Sequence, residues 1–252
     1  MSVLKRLIVN ADDLGRTPGV NRGIFQAQRT GIVTSATLMV TQSAAAEVPA
    51  LAREHPGLGI GLHLSLTGGP PCLPPAQVRS LLDESGRFPA KPERLDGADP
   101  KEVLAEARAQ LKRFRELTGA LPTHLDSHHH AHSRSPVLEA LVTLAWETGL
   151  PLRSVSSEMR LRFRREGIRT PDHFIDAFFG ERATSESLVR LLSHVEAGVT
   201  ELMCHPAVVD EELKAGSSYA QERGRELSAL THAEVRQAIQ AAGVRLVHFG
   251  QL

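Results

Sequence analysis

Residues 4–40, LKRLIVNADDLGRTPGVNRGIFQAQRTGIVTSATLMV, contain the unit from which the fold class can be predicted. The apolar runs at 4–9 and 35–40 are typical of buried strands. Between them, residues 17–30 have helical periodicity, with a threonine at the N-cap position and a proline directly after it. A strand, a helix and a second strand in this order favour a parallel pair joined by a crossover helix.

The same alternation continues along the rest of the chain. Further strands are predicted at 58–64, 123–127, 152–155, 200–204 and 244–249, and helices at 44–54, 100–118, 135–148, 185–197, 219–229 and 232–242. Residues 67–99 interrupt this rhythm with Gly and Pro pairs, which predicts a functional loop or lid over an active site. Residues 156–183 show no pattern that we assign. No internal repeat or linker is visible, so residues 1–252 are predicted to form one domain.

Alternating strands and helices fit either an open, doubly wound sheet or a closed barrel. The dinucleotide fingerprint GxGxxG is absent after the first strand, which weakens an open sheet that binds such a cofactor. The length of 252 residues suits a single α/β barrel.

Composition argues against several functional classes. The net charge is zero and aromatic residues make up 4%, so the arginine run at 160–165 does not indicate a nucleic-acid partner. No apolar stretch approaches the roughly 20 residues of a membrane span. The apolar run near the N-terminus is interrupted too early for a secretory signal. The two cysteines form no CxxC pair and no disulfide framework, which predicts reduced thiols and a cytoplasmic location.

The most unusual segment is THLDSHHHAH at residues 123–132, which holds five of the twelve histidines. Neutral imidazole is a common ligand of divalent metals, and a carboxylate lies in the same segment. Taken alone, such a segment also fits a solvated polar loop or an adventitious metal site.

Polar side chains follow four of the predicted strands. They are Asp12 and Asp13, then His63, then His128 with its neighbours, and finally His205. Each alone fits a helix cap or a structural histidine. Because the carboxyl ends of parallel strands form the functional face of α/β folds, however, we expect all four groups to meet at one mouth.

The adjacent carboxylates Asp12 and Asp13 suggest a division of roles. Like charges raise the pKa of one member of such a pair, and a divalent metal bound by one carboxylate relieves the repulsion and leaves the other free to handle protons. One carboxylate and two imidazoles give three protein ligands with positions left open, which is typical of a catalytic metal site. Such a metal acidifies water and polarises a carbonyl.

Covalent nucleophiles have less support in the sequence. The GxSxG elbow of serine hydrolases is absent. Cys204 lies beside His205, but neighbouring residues on a strand point to opposite faces, so Cys204 is predicted to be a core residue.

Several segments together resemble the YdjC-like carbohydrate deacetylases, a family that includes chitooligosaccharide deacetylases acting on diacetylchitobiose. These segments are NADDLG at 10–15, GIVTS at 31–35, GLHL at 61–64, THLDSHHHAH at 123–132, CHP at 204–206, and SSY at 217–219 with residues 223–227. The resemblance spans nearly the whole chain and is weakest at 67–99 and 156–183.

The resemblance implies a deformed (β/α) barrel of the glycoside hydrolase/deacetylase type, a homodimer, and removal of an acetyl group from a small acetylated sugar. It implies one divalent metal, Mg²⁺, although two imidazoles and a carboxylate also suit Zn²⁺. Carried over by motif, the residue roles are metal ligation by Asp13, His63 and His128, general base catalysis by Asp12, protonation of the leaving amine or oxyanion stabilisation by His205, and support or substrate contact by Asp126, His129, His130 and His132.

Other functions stay open from the residues alone. The same barrel and metal could serve a sugar isomerase or a phosphoester hydrolase, although the latter often uses two metals about 4 Å apart and more carboxylate ligands. A non-catalytic metal-binding protein is the third alternative.

Overall fold

The computed structural model describes residues 4–252. Its strands are β1 (Lys5–Leu14), β2 (Ser35–Leu38), β3 (Gly59–Leu64), β4 (Leu125–Ser127), β5 (His173–Ile175), β6 (Gly198–Cys204) and β7 (Val244–Leu246). Its α-helices are α1 (Pro18–Thr30), α2 (Val48–Glu54), α3 (Pro100–Thr118), α4 (Ser135–Thr148), α5 (Ser157–Arg165), α6 (Ser185–Ser193), α7 (Glu211–Gly216), α8 (Gln221–Leu230) and α9 (Ala233–Ala241). Short 3₁₀ turns lie at Ser43–Glu47, Pro75–Gln77, Arg79–Leu81, Pro92–Leu95, His128–Ser133, Gly180–Arg182 and Phe249–Gln251.

The strands form one parallel sheet in the order β4-β3-β2-β1-β6-β5. The strand β7 pairs with β1 at Lys5–Leu7, while β2 pairs with the later part of β1 from Asn10 onward. The two short neighbours therefore share β1 along its length, one at each end. This confirms the prediction of parallel strands joined by crossover helices.

Irregular backbone completes the curl of the sheet beyond β4. The amide of Leu125 donates to the Pro151 carbonyl (2.9 Å), and the amide of Leu152 donates to the Arg169 carbonyl (3.0 Å). The amide of Asp172, just before β5, donates to the carbonyl of Val199 on β6 (2.7 Å). These hydrogen bonds lead from β4 back to β6, so the α/β fold is a deformed (β/α) barrel, as expected.

The helices whose boundaries were predicted most accurately have capping residues at their ends. Asp99 caps α3 by accepting a hydrogen bond from the Lys101 amide (2.8 Å), and Gly119 ends that helix at φ 72°. Gly149 ends α4 in the same left-handed conformation, at φ 69°. Both helices have the predicted boundaries because these signals act within one turn.

Other boundaries differ from the predictions. The first strand continues past residue 9 through Asp12 and Asp13 to Leu14. The helix predicted at 44–54 is divided into a 3₁₀ turn and α2, with Pro49 in the first turn of α2, where its missing amide does no harm. The unassigned residues 156–183 contain α5 and β5.

In residues 4–252, no helix combines the length and apolarity needed to cross a membrane.

Strand alternation divides the barrel into two environments. On β1, Leu7, Val9 and Ala11 belong to the main apolar core, in which residues from the strands and the surrounding helices pack together. Ile8 belongs to a second apolar cluster, with Val199, Val247 and Phe249. Asn10 and Asp12 follow Ile8 at a spacing of two, so they continue the inner face toward the carboxyl end of the strand.

Candidate active site

The structure brings the four predicted polar groups together at the carboxyl ends of β1, β3, β4 and β6. Asp12, Asp13 and His63 are at most 3% exposed. All of them line one cavity of about 1230 Å³, together with His128 and His205. The sequence prediction that these residues share one mouth is confirmed.

Asp13 lies between two histidines. Its Oδ1 is 2.9 Å from His128 Nδ1 and 3.3 Å from His63 Nε2. Its Oδ2 accepts hydrogen bonds from Arg16 (3.2 Å) and Arg223. One potential ligand atom from each of Asp13, His63 and His128 lies within 4.8 Å of the others.

A backbone distortion explains how neighbouring aspartates both face the cavity. Successive strand residues normally point to opposite faces, but Asp13 has φ 70° and β1 has an irregular register between Ala11 and Leu14. A left-handed conformation at a residue other than glycine costs on the order of 1–3 kcal/mol. The charged hydrogen bonds from Arg16 and Arg223 help to hold Asp13 in it.

The Asp13 cluster fits a divalent cation. Oδ1 of Asp13 is buried, and in the part of the chain that the structure describes neither histidine ring is aligned to donate a hydrogen bond to it. Burial lowers the pKa of His128, which favours the neutral imidazole that ligates metals. Burial raises the pKa of Asp13, but the positive charge of Arg223 at Oδ2 opposes burial, and this pKa is held well below its usual range.

His63 is held by a carboxylate on its other ring nitrogen. Its Nδ1 lies 2.7 Å from Asp126 Oδ1 and 3.1 Å from the hydroxyl of Thr37. Burial lowers the pKa of His63, but Asp126 and Asp13 more than compensate and raise the pKa to about 10. Because cation binding needs the neutral ring, a metal would displace this proton and bind at Nε2, while Asp126 orients the ring.

Asp12 has an entirely different partner, Arg153. The guanidinium of Arg153 is fully buried and donates two hydrogen bonds of 2.7 Å to the two oxygens of Asp12. The side-chain amide of Asn10 donates a third hydrogen bond, of 2.8 Å, to Asp12 Oδ1. Burial raises the pKa of Asp12, but the charge and hydrogen bonds of Arg153 outweigh burial, so Asp12 stays ionised.

Arg153 also holds two further carboxylates. It lies 2.9 Å from Asp126 Oδ2 and 2.7 Å from Glu201 Oε1. Burial raises the pKa of Glu201 to about 7, against the lowering effect of Arg153. The sequence prediction missed Arg153, and the available signal was an arginine inside the short apolar segment 152–155, since arginine is rarely fully buried without a partner.

His205 lies on another side of the cavity, against two aromatic rings. Its ring centroid is 5.8 Å from that of Phe179 and 6.0 Å from that of Tyr219. The amide of His205 donates to Glu226, whose Oε1 lies 3.8 Å from His205 Nδ1 and accepts a hydrogen bond from the Tyr219 hydroxyl (2.6 Å). Glu226 is fully buried, so it is a fixed anchor beneath His205.

The remaining predicted residues divide into two groups. His129 and His130 line the cavity, and both have left-handed backbone, at φ 52° and 49°. Asp126 and His132 are fully buried and support their neighbours instead. His132 Nδ1 lies 2.5 Å from Ser127 Oγ, and its amide donates to the same oxygen (2.9 Å).

The upper wall of the cavity comes from the regions that were hardest to predict. Residues of the 67–99 loop line it, and so do residues of the 156–183 region. Those lining residues are Gly68, Gly69, Asp83, Arg87, Phe88, Ala90, Asp176, Phe179 and Arg182. A volume of about 1230 Å³ exceeds the roughly 300–1,000 Å³ of common ligand pockets, so the cavity holds more than an acetyl group.

Cys204 is fully buried and belongs to the main apolar core, as predicted. Both cysteines are free thiols. Burial raises the pKa of the Cys204 thiol well above its ordinary value, which argues against a cysteine nucleophile at this position.

Comparison with known proteins gives consistent matches over the whole chain. The family model described as YdjC-like protein matches residues 6–241. A carbohydrate deacetylase from Brevibacillus brevis is 43% identical over 98% of this chain and 99% of its own. Another from Geobacillus stearothermophilus is 42% identical over 96% of each chain.

Solved structures agree with the fold. A crystal structure from Enterococcus faecalis V583, described as a cellobiose-phosphate cleavage protein, has a TM-score of 0.93 and 37% identity over 98% of both chains. A family 4 carbohydrate esterase from Streptomyces lividans, in complex with acetate, covers 97% of this chain and 93% of its own, with a TM-score of 0.56 and 11% identity, and is therefore alike in fold. On the family model and these near-full-length relatives, the chain belongs to the YdjC-like protein family.

Proposed function

We propose that the protein is a metal-dependent carbohydrate deacetylase that hydrolyses the acetamide of a small acetylated saccharide such as diacetylchitobiose. The observation that carries this proposal is the separation of two adjacent aspartates. Asp13 lies between His63 and His128, whereas Asp12 is bound by Arg153. The relatives named carbohydrate deacetylase, at 43% and 42% identity, support the same activity.

Asp13, His63 and His128 would hold the metal. Mg²⁺ is proposed from the family resemblance, and Zn²⁺ is the second candidate because two of the ligands are imidazoles. When bound, the cation would lower the pKa of water and polarise the acetyl carbonyl.

Asp12 would act as the general base. The attacking water adds its oxygen to the acetyl carbon and gives one proton to Oδ2 of Asp12, which accepts a single hydrogen bond from Arg153 and keeps a free lone pair. Arg153 fixes the carboxylate orientation, because both of its terminal nitrogens contact Asp12.

His205 would act as the general acid. Its imidazole donates a proton to the amide nitrogen as the C–N bond breaks, which yields acetate and the free amine of the sugar. The Glu226 carboxylate lies 3.8 Å from His205 Nδ1 and accepts the hydrogen bond of the His205 backbone amide, so it helps to position His205.

Hydrolysis of a phosphoester through two metals is less well supported. A second group, Asp12, His63 and Asp126, has the spacing of a metal site. However, the Arg153 guanidinium lies 2.7 Å from Asp12 and 2.9 Å from Asp126, so it already supplies the positive charge there.

A homodimer and a cytoplasmic location are proposals that rest on the resemblance and on the free thiols.

Acetate release from diacetylchitobiose tests the proposed function. We expect release that stops after EDTA treatment, returns with either Mg²⁺ or Zn²⁺, and is lost in Asp12→Asn and His63→Ala. The exposed His194→Ala is the matched control for histidine removal and is expected to behave like the wild type. Metal binding without acetate release from any acetylated sugar in a panel would reject the deacetylase assignment, and failure to bind metal would reject the site.

A further inference from the structure

Phe179 is an unusual apolar side chain because it is exposed within the cavity wall. Its exposed fraction is 43%. In residues 4–252, the other large apolar side chains with high exposure are Leu4, Leu121, Trp146 and Leu161, and none of them lines the cavity. Exposed apolar surface inside a polar cleft is typical of a ligand contact.

One face of the Phe179 ring is covered by Tyr219, although the side chain is partly exposed. The ring stacks on Tyr219 with centroids 4.1 Å apart and an interplanar angle of 4°. The neighbouring His205 ring meets it edge-on, at 77° and 5.8 Å. Since Tyr219 covers one face of the ring, the opposite face and the outer edge are the parts of Phe179 left for contact with a ligand.

The position of Phe179 is coupled to that of His205. The Gly180 amide, directly after Phe179, donates to the Tyr219 hydroxyl (2.8 Å), and this hydroxyl donates to Glu226 (2.6 Å). Glu226 in turn accepts the amide hydrogen bond of His205. A single chain of hydrogen bonds therefore links the backbone beside the exposed ring to the backbone of the proposed general acid.

We propose that the face of the Phe179 ring opposite Tyr219 stacks against a pyranose ring of the substrate, which makes Phe179 a specificity-determining residue. The C–H groups on one face of a pyranose are complementary to the negative face of an aromatic ring. This inference rests on the proposed function, because the acetyl group must then reach the cavity beside His205.

Substitutions at Phe179 separate the aromatic face from simple apolar bulk. Phe179→Leu keeps an apolar side chain without a π face, Phe179→Tyr keeps the face, and Phe179→Ala removes both. Trp146→Leu is the matched control, since Trp146 is 59% exposed and lies outside the cavity. The readouts are kcat and KM for acetate release from diacetylchitobiose, and saturation-transfer NMR from protein to sugar protons.

We expect KM to rise roughly tenfold in Phe179→Leu and Phe179→Ala, with kcat changed less than about threefold, because aromatic contacts contribute energies of this order. Saturation transfer to the sugar ring should weaken in both variants, while Phe179→Tyr should retain most of it and Trp146→Leu should match the wild type. An unchanged KM in Phe179→Leu of an active enzyme overturns this inference and leaves the deacetylase proposal intact. A wild type that neither binds nor deacetylates any acetylated sugar overturns both.

Discussion

The floor and the rim of the cavity are built in opposite ways. We define the floor as Asp12, Asp13, His63, His128 and Arg153, and the rim as the cavity-lining parts of 67–99 and 176–182. Every floor residue is buried and contacts another member of the floor. Most rim residues, Phe179 among them, are exposed, although Phe88 is buried. Changes in the floor are therefore expected to alter stability and chemistry together, whereas changes in the rim should alter substrate choice.

The 67–99 loop, which carries part of the rim, is held at its start by a buried polar group. The buried carboxylate of Glu106 on α3 accepts hydrogen bonds from the amides of Cys72 (2.8 Å) and Leu73 (3.0 Å). Gln110, one turn later, donates to Glu106 (2.8 Å) and to the carbonyl of Ser65 (2.8 Å). The exposed cavity-lining residues of this loop therefore follow a segment whose backbone is held by buried side chains.

Arg153→Met should give the largest effect and is the sharpest test of the floor. It leaves the carboxylates of Asp12, Asp126 and Glu201 buried without their common cation, which costs about 3–5 kcal/mol of unfolding free energy. Acetate release should fall at least about 100-fold, because Asp12 loses its orientation and its ionised state. Urea unfolding and acetate assays measure the two effects. Arg153→Lys keeps the charge without the paired hydrogen bonds, so its stability and activity should lie between those of the wild type and Arg153→Met. A stable, active Arg153→Met would show that the floor does not depend on Arg153.

Asp13→Asn should separate metal binding from folding within the floor. Asparagine tolerates the left-handed conformation at φ 70°, so the backbone is retained while the anionic ligand is lost. We expect at least about a 100-fold loss of Zn²⁺ affinity in calorimetric titration, with unfolding free energy changed by no more than about 2 kcal/mol. Asp96→Asn, a surface carboxylate paired with Arg134, is the control. Unchanged Zn²⁺ affinity would remove Asp13 from the ligand set.

The raised pKa of Glu201, which contacts Arg153 of the floor, predicts that stability depends on pH. Burial raises its pKa from 4.5 to about 7, so the folded state binds a proton that the unfolded state has lost between these two values. The stability contribution is therefore present below about pH 4.5 and declines as pH rises through about 7, by on the order of 1–3 kcal/mol. Unfolding free energies measured from pH 5 to pH 8 should fall less steeply in Glu201→Gln. Equal slopes in the two proteins would contradict this assignment.

Glu106→Gln should give the smallest effect. It tests whether the residue that holds the start of the 67–99 loop influences substrate binding, as the rim does, or the chemical step, as the floor does. The amide keeps one acceptor oxygen, so one of the two loop amides loses its partner, at about 1–2 kcal/mol. Hydrogen exchange should increase at Cys72 and Leu73, and KM should rise a fewfold with little change in kcat. Glu102→Gln is the control, because Glu102 binds the exposed Ser80 instead. A fall in kcat with unchanged KM would place Glu106 with the floor.

Prediction from sequence succeeded where the relevant forces are local. The ends of α3 and α4 follow from a capping aspartate and two glycines that act within one helical turn. The convergence of Asp12, Asp13, His63 and His128 follows from parallel strands that end at the same edge. The residues of β5 were left unassigned, and the strand predicted at 152–155 is only an isolated bridge between Leu152 and Leu125, because both pairings depend on partners far away along the chain.

Residue types and their periodicity were enough to predict parallel strands with crossover helices and the edge of the sheet that carries the chemistry. The barrel and the metal ligands were implied by the resemblance to the YdjC-like family. The tertiary structure alone decided which aspartate does what, because Arg153 joins Asp12 across 141 positions of sequence and Arg223 joins Asp13 across 210. It also decided the left-handed turn at Asp13 and the exposed face of Phe179. The physical reason is that charge pairing and burial depend on distance in space, and no local pattern in the chain encodes that distance.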